Sequence, residues 1–182
     1  MAATLSINNK AIFTAFRAFI LGLLDVSEHN VVRGLGNRVS TPKEGFIAIT
    51  PILKAGLATN ETTYIQPEEG ALIGTKEAKK STRYDIQIDC YGVNADEWST
   101  IITNMFRDEY GCRMLAPLMQ PLYSTDPMQM PLTNAEQQYE QRWMITATVQ
   151  INPVVTTEIN FLDSVEINVI NATQIPENEE QP

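Results

Sequence analysis

The sequence predicts an α+β fold, a two-layer sandwich in which two amphipathic helices cover one face of a mainly antiparallel sheet and a long hairpin arm projects from it. Three observations carry that reading. Residues 84–91 and 143–151 alternate apolar with polar side chains, the period of two that sends successive residues to opposite faces of a strand. Residues 9–25 and 94–106 instead repeat their apolar residues three and four apart, the spacing of a stripe along a helix. Strands with one apolar face and helices with one apolar stripe bury both by stacking in two layers.

The first helix rests on Ile12, Phe13, Phe16, Phe19, Ile20, Leu23 and Leu24, with Lys10, Thr14 and Arg17 on the other side and Asn8 or Asn9 as its cap. Ala18, Leu21 and Gly22 leave its outer side poor in charge, which suits a second packing partner. Gly34-Leu35-Gly36-Asn37 reads as a turn rather than a phosphate cradle, since neither a strand before it nor a helix after it is expected. A strand is expected over 46–53, with Pro51 marking an edge or a bulge, and another over 62–66. Residues 67–81 carry Pro67, Gly70, Gly74 and many charges without an apolar period, and are expected to form an extended arm. Lys76, Lys79, Lys80 and Arg83 make that arm a candidate contact for an acidic neighbouring subunit.

The strand over 84–91 places Tyr84, Ile86, Ile88 and Cys90 on the core side and Asp85, Gln87 and Asp89 on the polar side. Asn94 with Glu97 predicts a capping box for the second helix, whose stripe is Trp98, Ile101, Ile102, Met105 and Phe106, and Tyr110–Gly111 its stop. Trp98, Ile102 and Phe106 are expected against Ile86 and Ile88. Residues 112–133 interleave four prolines with leucines and methionines, so they are expected to be irregular. Such a segment is tucked over the core or offered to a partner, with Met128 and Met130 as adaptable contacts. A strand over 143–151 puts Trp143, Ile145, Ala147, Val149 and Ile151 inward, and Val165, Ile167 and Val169 alternate in a last strand. Residues 1–171 are thus expected to form one domain, followed by a flexible acidic tail over 172–182.

Composition narrows the function. The 182 residues carry a net charge of −9, which argues against a grip on phosphate backbones. Cys90 and Cys112 are too few and too far apart for a disulfide framework or a zinc knuckle. Arg17 interrupts the apolar stretch of the first helix, which is too short to span a membrane, so a soluble and unsecreted protein is expected. The one histidine, His29, lies in a polar loop without a nucleophile pattern, and Asp85 and Asp89 stand about 13 Å apart along their strand, too far to share a metal. No enzyme, no metal and no cofactor is expected. Asp85 and Asp89, joined by Glu166, are instead candidates for an acidic surface on the sheet's polar face.

The run Tyr84-Asp-Ile-Gln-Ile-Asp-Cys-Tyr-Gly-Val-Asn-Ala-Asp-Glu-Trp98, continuing through Phe106, resembles neck and tail-completion proteins of tailed bacteriophages. Tyr139-Glu-Gln-Arg-Trp143, leading into Thr146-Ala-Thr-Val-Gln-Ile-Asn152, is similar to the phage neck terminator family in particular. The resemblance spans about residues 20–170 and rests on structural patterns, so it brings no catalytic residues. It implies a virion protein, made in the host cytoplasm, that forms a hexameric ring. Such a ring caps the tail tube, docks on the head–tail connector and lets DNA through a like-charged lumen without binding it. Another connector or minor tail tube protein, or an acidic monomeric adaptor module, is the alternative.

Overall fold

Two ten-residue strands, β6 (Thr82–Tyr91) and β11 (Arg142–Ile151), pair antiparallel along their whole length and form the centre of the main sheet. In the computed structural model residues 2–36, 42, 45–67, 72–133 and 139–161 are described. β3 (Phe46–Gly56) pairs antiparallel with β6 on the other side, and β2 (Val31–Arg33) adds in parallel to β3. β7 (Gln120–Ser124) and β8 (Met128–Gln129) complete the sheet along β11. The register of β3 shifts between Pro51 and Leu53, so the proline marks a bulge. A strand, β2, does precede the 34–37 turn, contrary to expectation. It is three residues long, too short to show a period.

The inner face of this sheet is apolar because the alternation places Ile47, Ile49, Tyr84, Ile86, Ile88, Cys90, Ile145, Ala147, Val149 and Ile151 there, and all are buried. α1 (Asn9–Leu23), α2 (Ala95–Phe106) and α3 (Glu109–Leu115) cover that face. Ile12, Phe16, Phe19 and Ile20 are the buried stripe of α1, and the side chain of Asn8 accepts a hydrogen bond from the Ala11 N–H at 2.9 Å as its cap. Phe106 lies 6.1 Å from Phe16 and 6.2 Å from Phe19, ring centre to ring centre, and ties α2 to α1. Burying each such side chain stabilises the fold by about 1.5–3 kcal/mol. Ile102 and Phe106 join Ile86 and Ile88 in one core, with Trp98 half-buried at its margin.

Three local expectations are corrected. The second helix has no capping box: Asn94 sits at φ −92°, ψ 8° and makes no side-chain cap, because that backbone turns its amide away from the free N–H groups. Nor does Tyr110–Gly111 end it. α2 stops at Phe106, Asp108 caps the new helix α3 by accepting from the Tyr110 N–H at 3.0 Å, and Gly111 is buried inside α3. A Cβ on Gly111 would stand 2.6 Å from the Phe106 carbonyl oxygen, so the glycine serves close approach of two helices rather than a stop. Residues 112–133 are accordingly less irregular than expected. Leu115 and Met119 are buried in the core, while β7, β8 and β9 (Leu132–Thr133) occupy most of the remainder, β9 pairing with β10 (Tyr139–Glu140).

A second sheet continues the first. β4 (Glu61–Ile65) follows β3, β5 (Ile73–Lys79) precedes β6, and β12 (Val154–Asn160) follows β11, so the order β3–β6–β11 reappears as β4–β5–β12. At the seam the Leu57 N–H donates to Ser81 O at 2.9 Å and the Lys80 N–H to Pro153 O at 3.2 Å. β1 (Thr4–Leu5) closes the outer side of β12. This is the arm of the sequence reading, with a difference. Residues 73–79 are a strand paired on both sides within the chain, and 154–160, unassigned from sequence, are its neighbour. Val165, Ile167, Val169 and the tail lie outside the described residues.

Candidate assembly surfaces

The outer face of the main sheet carries the residues that alternate with the core. Asp85 and Asp89 are there, as the period of two requires, yet they are only 4% and 3% exposed. What covers them is their own partners. Arg83, two residues along the strand from Asp85, donates from Nε at 2.8 Å and from Nη2 at 2.7 Å to its carboxylate, and Thr148 Oγ1 donates at 2.8 Å from β11. Arg142 reaches Asp89 Oδ1 from Nε at 3.0 Å and Nη2 at 2.9 Å, and Gln87 Nε2 donates to Oδ2 at 2.7 Å. Burial by itself would raise the Asp85 carboxyl, but the hydrogen bonds from Arg83 and Thr148 and the Arg83 charge outweigh it and hold the group below the ordinary carboxylate range.

This corrects the expectation of a bare acidic surface. Each carboxylate has a guanidinium beside it, and outward the face offers arginine and glutamine N–H groups above buried carboxylates. The signal was present in the sequence: Arg83 and Asp85 are two apart on a strand, therefore on one face. Arg142, by contrast, meets Asp89 only through the β6–β11 register, diagonally from Tyr91, and no local pattern fixes that register. Glu166 lies outside the described residues. Of the net charge of −9, residues 162–182 carry Asp163, Glu166, Glu177, Glu179 and Glu180 with no Lys or Arg, so the acidity belongs largely to that segment and not to the sheet.

The basic residues of the arm are dispersed. Lys79 forms a long ion pair with Glu61 at 3.7 Å, Lys76 lies over the Tyr64 ring at 5.9 Å, Lys80 sits at the seam against Gly56, and Arg83 belongs to the main sheet with Asp85. They do not form one patch. Met128 is exposed on β8, and Met130 is half-buried with its N–H donating to Arg142 O at 2.8 Å. No helix among the described residues is long and apolar enough to cross a membrane. Nor does any group of three His, Cys, Asp or Glu residues stand together there as a metal would require. His29 sits in a short 3-10 turn over Glu28–Asn30. Cys90 is buried, which pushes its thiol up to about 12 with the Asp89 charge adding to the effect.

Two hollows adjoin at the end of the main sheet where β3 and β6 meet. One, of about 490 Å³, lies between the outer face and the Gly34–Gly36 turn and is lined by Leu35, Asp89 and Arg142 among others. The second, of about 810 Å³, is lined by Val93, Trp98 and Tyr139, and the two share Pro42, Phe46 and Tyr91. Phe46 and Tyr91 are stacked at 4.4 Å. Gly92, at φ +103°, turns the chain there in a conformation that side chains disfavour.

The family model described as phage neck terminator protein matches residues 10–173, nine-tenths of the chain and every described element but β1. The chain belongs to the phage neck terminator family. No curated protein matches it closely enough to add to that. As a neck terminator it is a structural protein of the tailed-phage virion, working among other head and tail proteins.

Proposed function

We propose that this neck terminator acts as a ring of identical copies, six in number, that caps the finished tail tube, joins it to the head–tail connector and lets DNA pass through its lumen. The observation that carries the reading is the family match over residues 10–173, joined to an arm sheet that no helix among the described residues covers. A sheet without a helix against it is unusual for a protein acting alone. Lys76, Lys79 and Lys80 on the arm and Met128 and Met130 beside β11 are the contacts offered to neighbours. The outer face of the main sheet around Asp85, beneath Arg83, is the surface offered to DNA. Its charges are balanced in plane, so it would neither hold nor strongly repel a duplex carrying one negative charge per about 1.7 Å. The protein is made in the host cytoplasm, and residues 1–171 act as one unit with the acidic residues 172–182 trailing.

Electron microscopy of tails assembled with and without the protein tests the reading. Tails of uniform length ending in a six-fold collar are expected with it, and overlong or headless tubes without it. Tails indistinguishable in the two preparations would overturn the proposal.

A further inference from the structure

Seven of the sixteen exposed large apolar side chains among the described residues fall in two groups. On the arm, Tyr64, Ile65, Leu72 and Ile73 gather where β4 and β5 are joined, and all four are about half exposed or more. At the opposite end of the main sheet Val93 is 89% and Tyr139 86% exposed, and Leu35, on the turn after β2 beside the middle of β3, is 89% exposed; these are the three most exposed large apolar residues described. Leu35 lines the first hollow and Val93, Tyr139 and Trp98 the second, with Phe46 and Tyr91 shared between them. Leu35 is held at φ +58°, a left-handed conformation that a leucine adopts at some cost, between Gly34 and Gly36. The Gly34 N–H donates to Ile49 O at 2.9 Å and fixes the base of that turn on the sheet. An apolar side chain fixed in water on a strained turn has the character of an anchor.

Geometry then limits what the two surfaces can do. From the second hollow the strands run ten or so residues to the seam, about 30 Å, and from the near edge of the first, at Ile52, β3 runs four, about 13 Å; the arm then leads about 20 Å further away. An arm tip therefore cannot reach the hollow of its own chain. The segments joining the strands at the two ends are opposite in charge. Residues 66–72 carry Glu68 and Glu69 and no basic residue, whereas residues 33–45 carry Arg33, Arg38 and Lys43 against Glu44. We infer that the occupant of the hollows is a second copy of this chain, whose arm tip, Tyr64, Ile65, Leu72 and Ile73, seats on Leu35, Val93 and Tyr139. The inference rests on the ring reading and supplies its contact. A donor at one end and an acceptor at the other is a head-to-tail interface, which closes into a ring when the rotation per copy divides a full turn.

Cysteine pairing tests the contact directly. Ile73→Cys and Val93→Cys are made separately and together in a Cys112→Ser background, leaving the buried Cys90 in place. After mild oxidation, a mixture of the two single variants should give chiefly the mixed dimer, and the double variant a ladder of covalent oligomers. Val93→Asp with Leu35→Asp, at positions too exposed to disturb folding, should lower the oligomer fraction at least tenfold in mass photometry. Oligomers that ignore those aspartates, or like-with-like dimers as abundant as mixed ones, would overturn the inference and leave the ring standing. The same would follow if the aspartates spared oligomers but abolished attachment to tails, since the hollows would then hold another protein. A chain that stays monomeric both in solution and on tails would overturn both.

Discussion

Asp89→Ala measures how far the outer face depends on its buried ion pairs. The substitution removes the acceptor of two hydrogen bonds from Arg142, at 3.0 and 2.9 Å, and of one from Gln87 at 2.7 Å. Exposed pairs contribute about 0.2–1 kcal/mol, whereas breaking a buried one costs about 3–5 kcal/mol. The Asp89 side chain is 5% exposed and that of Arg142 24%, so the cost falls between these limits, about 2 kcal/mol. At a urea dependence of about 2 kcal/mol per molar, the unfolding midpoint should move down by about 1 M. The melting temperature should fall by about 4–8 °C. Glu158→Ala, an exposed carboxylate on β12, serves as the control and should stay within about 0.5 kcal/mol. A double-mutant cycle with Arg142→Ala assigns the loss to the pair, and the coupling should survive about 0.5 M salt because the carboxylate is shielded from solvent. If Asp89→Ala costs no more than Glu158→Ala, the carboxylate faces water and the outer face is acidic after all.

Because the Asp85 carboxyl is held below its unfolded value, the stability it contributes is full above about pH 4 and is lost as pH falls through the folded value. Asp85→Asn should therefore flatten the acid limb of a plot of urea midpoint against pH, and an unchanged limb would contradict the pairing. Ile102→Ala, at a fully buried position between α2 and the sheet, should cost about 2–5 kcal/mol in the same assay, and less than 1 would mean that α2 is peripheral. Gly111→Ala should destabilise by more than 1 kcal/mol although alanine favours helix, because its Cβ would meet the Phe106 and Met105 carbonyl oxygens at 2.6 and 2.9 Å. A gain in stability would show that α3 can move away from α2.

What the sequence made legible follows from where each element packs. β6, β11, α1 and α2 lie on the core, so burial imprinted a period of two or of 3.6 on their residues. β5 and β12 pair with other strands but rest on no helix among the described residues, so no helix packing forces Ile73–Lys79 or Val154–Asn160 into strict alternation, and both escaped the pattern. α3 is hidden by its seven-residue length and by Gly111, which carries the local signature of a stop. Of the surfaces, strand parity placed Asp85 and Asp89 on the correct face. The Arg83–Asp85 pair was legible on one strand, whereas the Arg142–Asp89 pair depends on a register that no single segment specifies. The hollows escaped altogether, since Leu35, Val93 and Tyr139 come from three separate turns or short strands and converge only in the fold.

The continuation of β3, β6 and β11 into β4, β5 and β12 gives the arm a mechanical character. Three strands continue across the seam side by side, with the Leu57–Ser81 and Lys80–Pro153 hydrogen bonds between them, and the chain crosses once more between β1 and α1. A pull along the arm is then carried by three parallel backbones and loads the ladder in shear, where many hydrogen bonds must yield together. Among the described residues, a push across the sheet meets backbone torsions at 6–8, 57–60, 80–81 and 152–153. The arm is thus stiff in tension and compliant in bending, a strap whose angle to the body adjusts while its length does not.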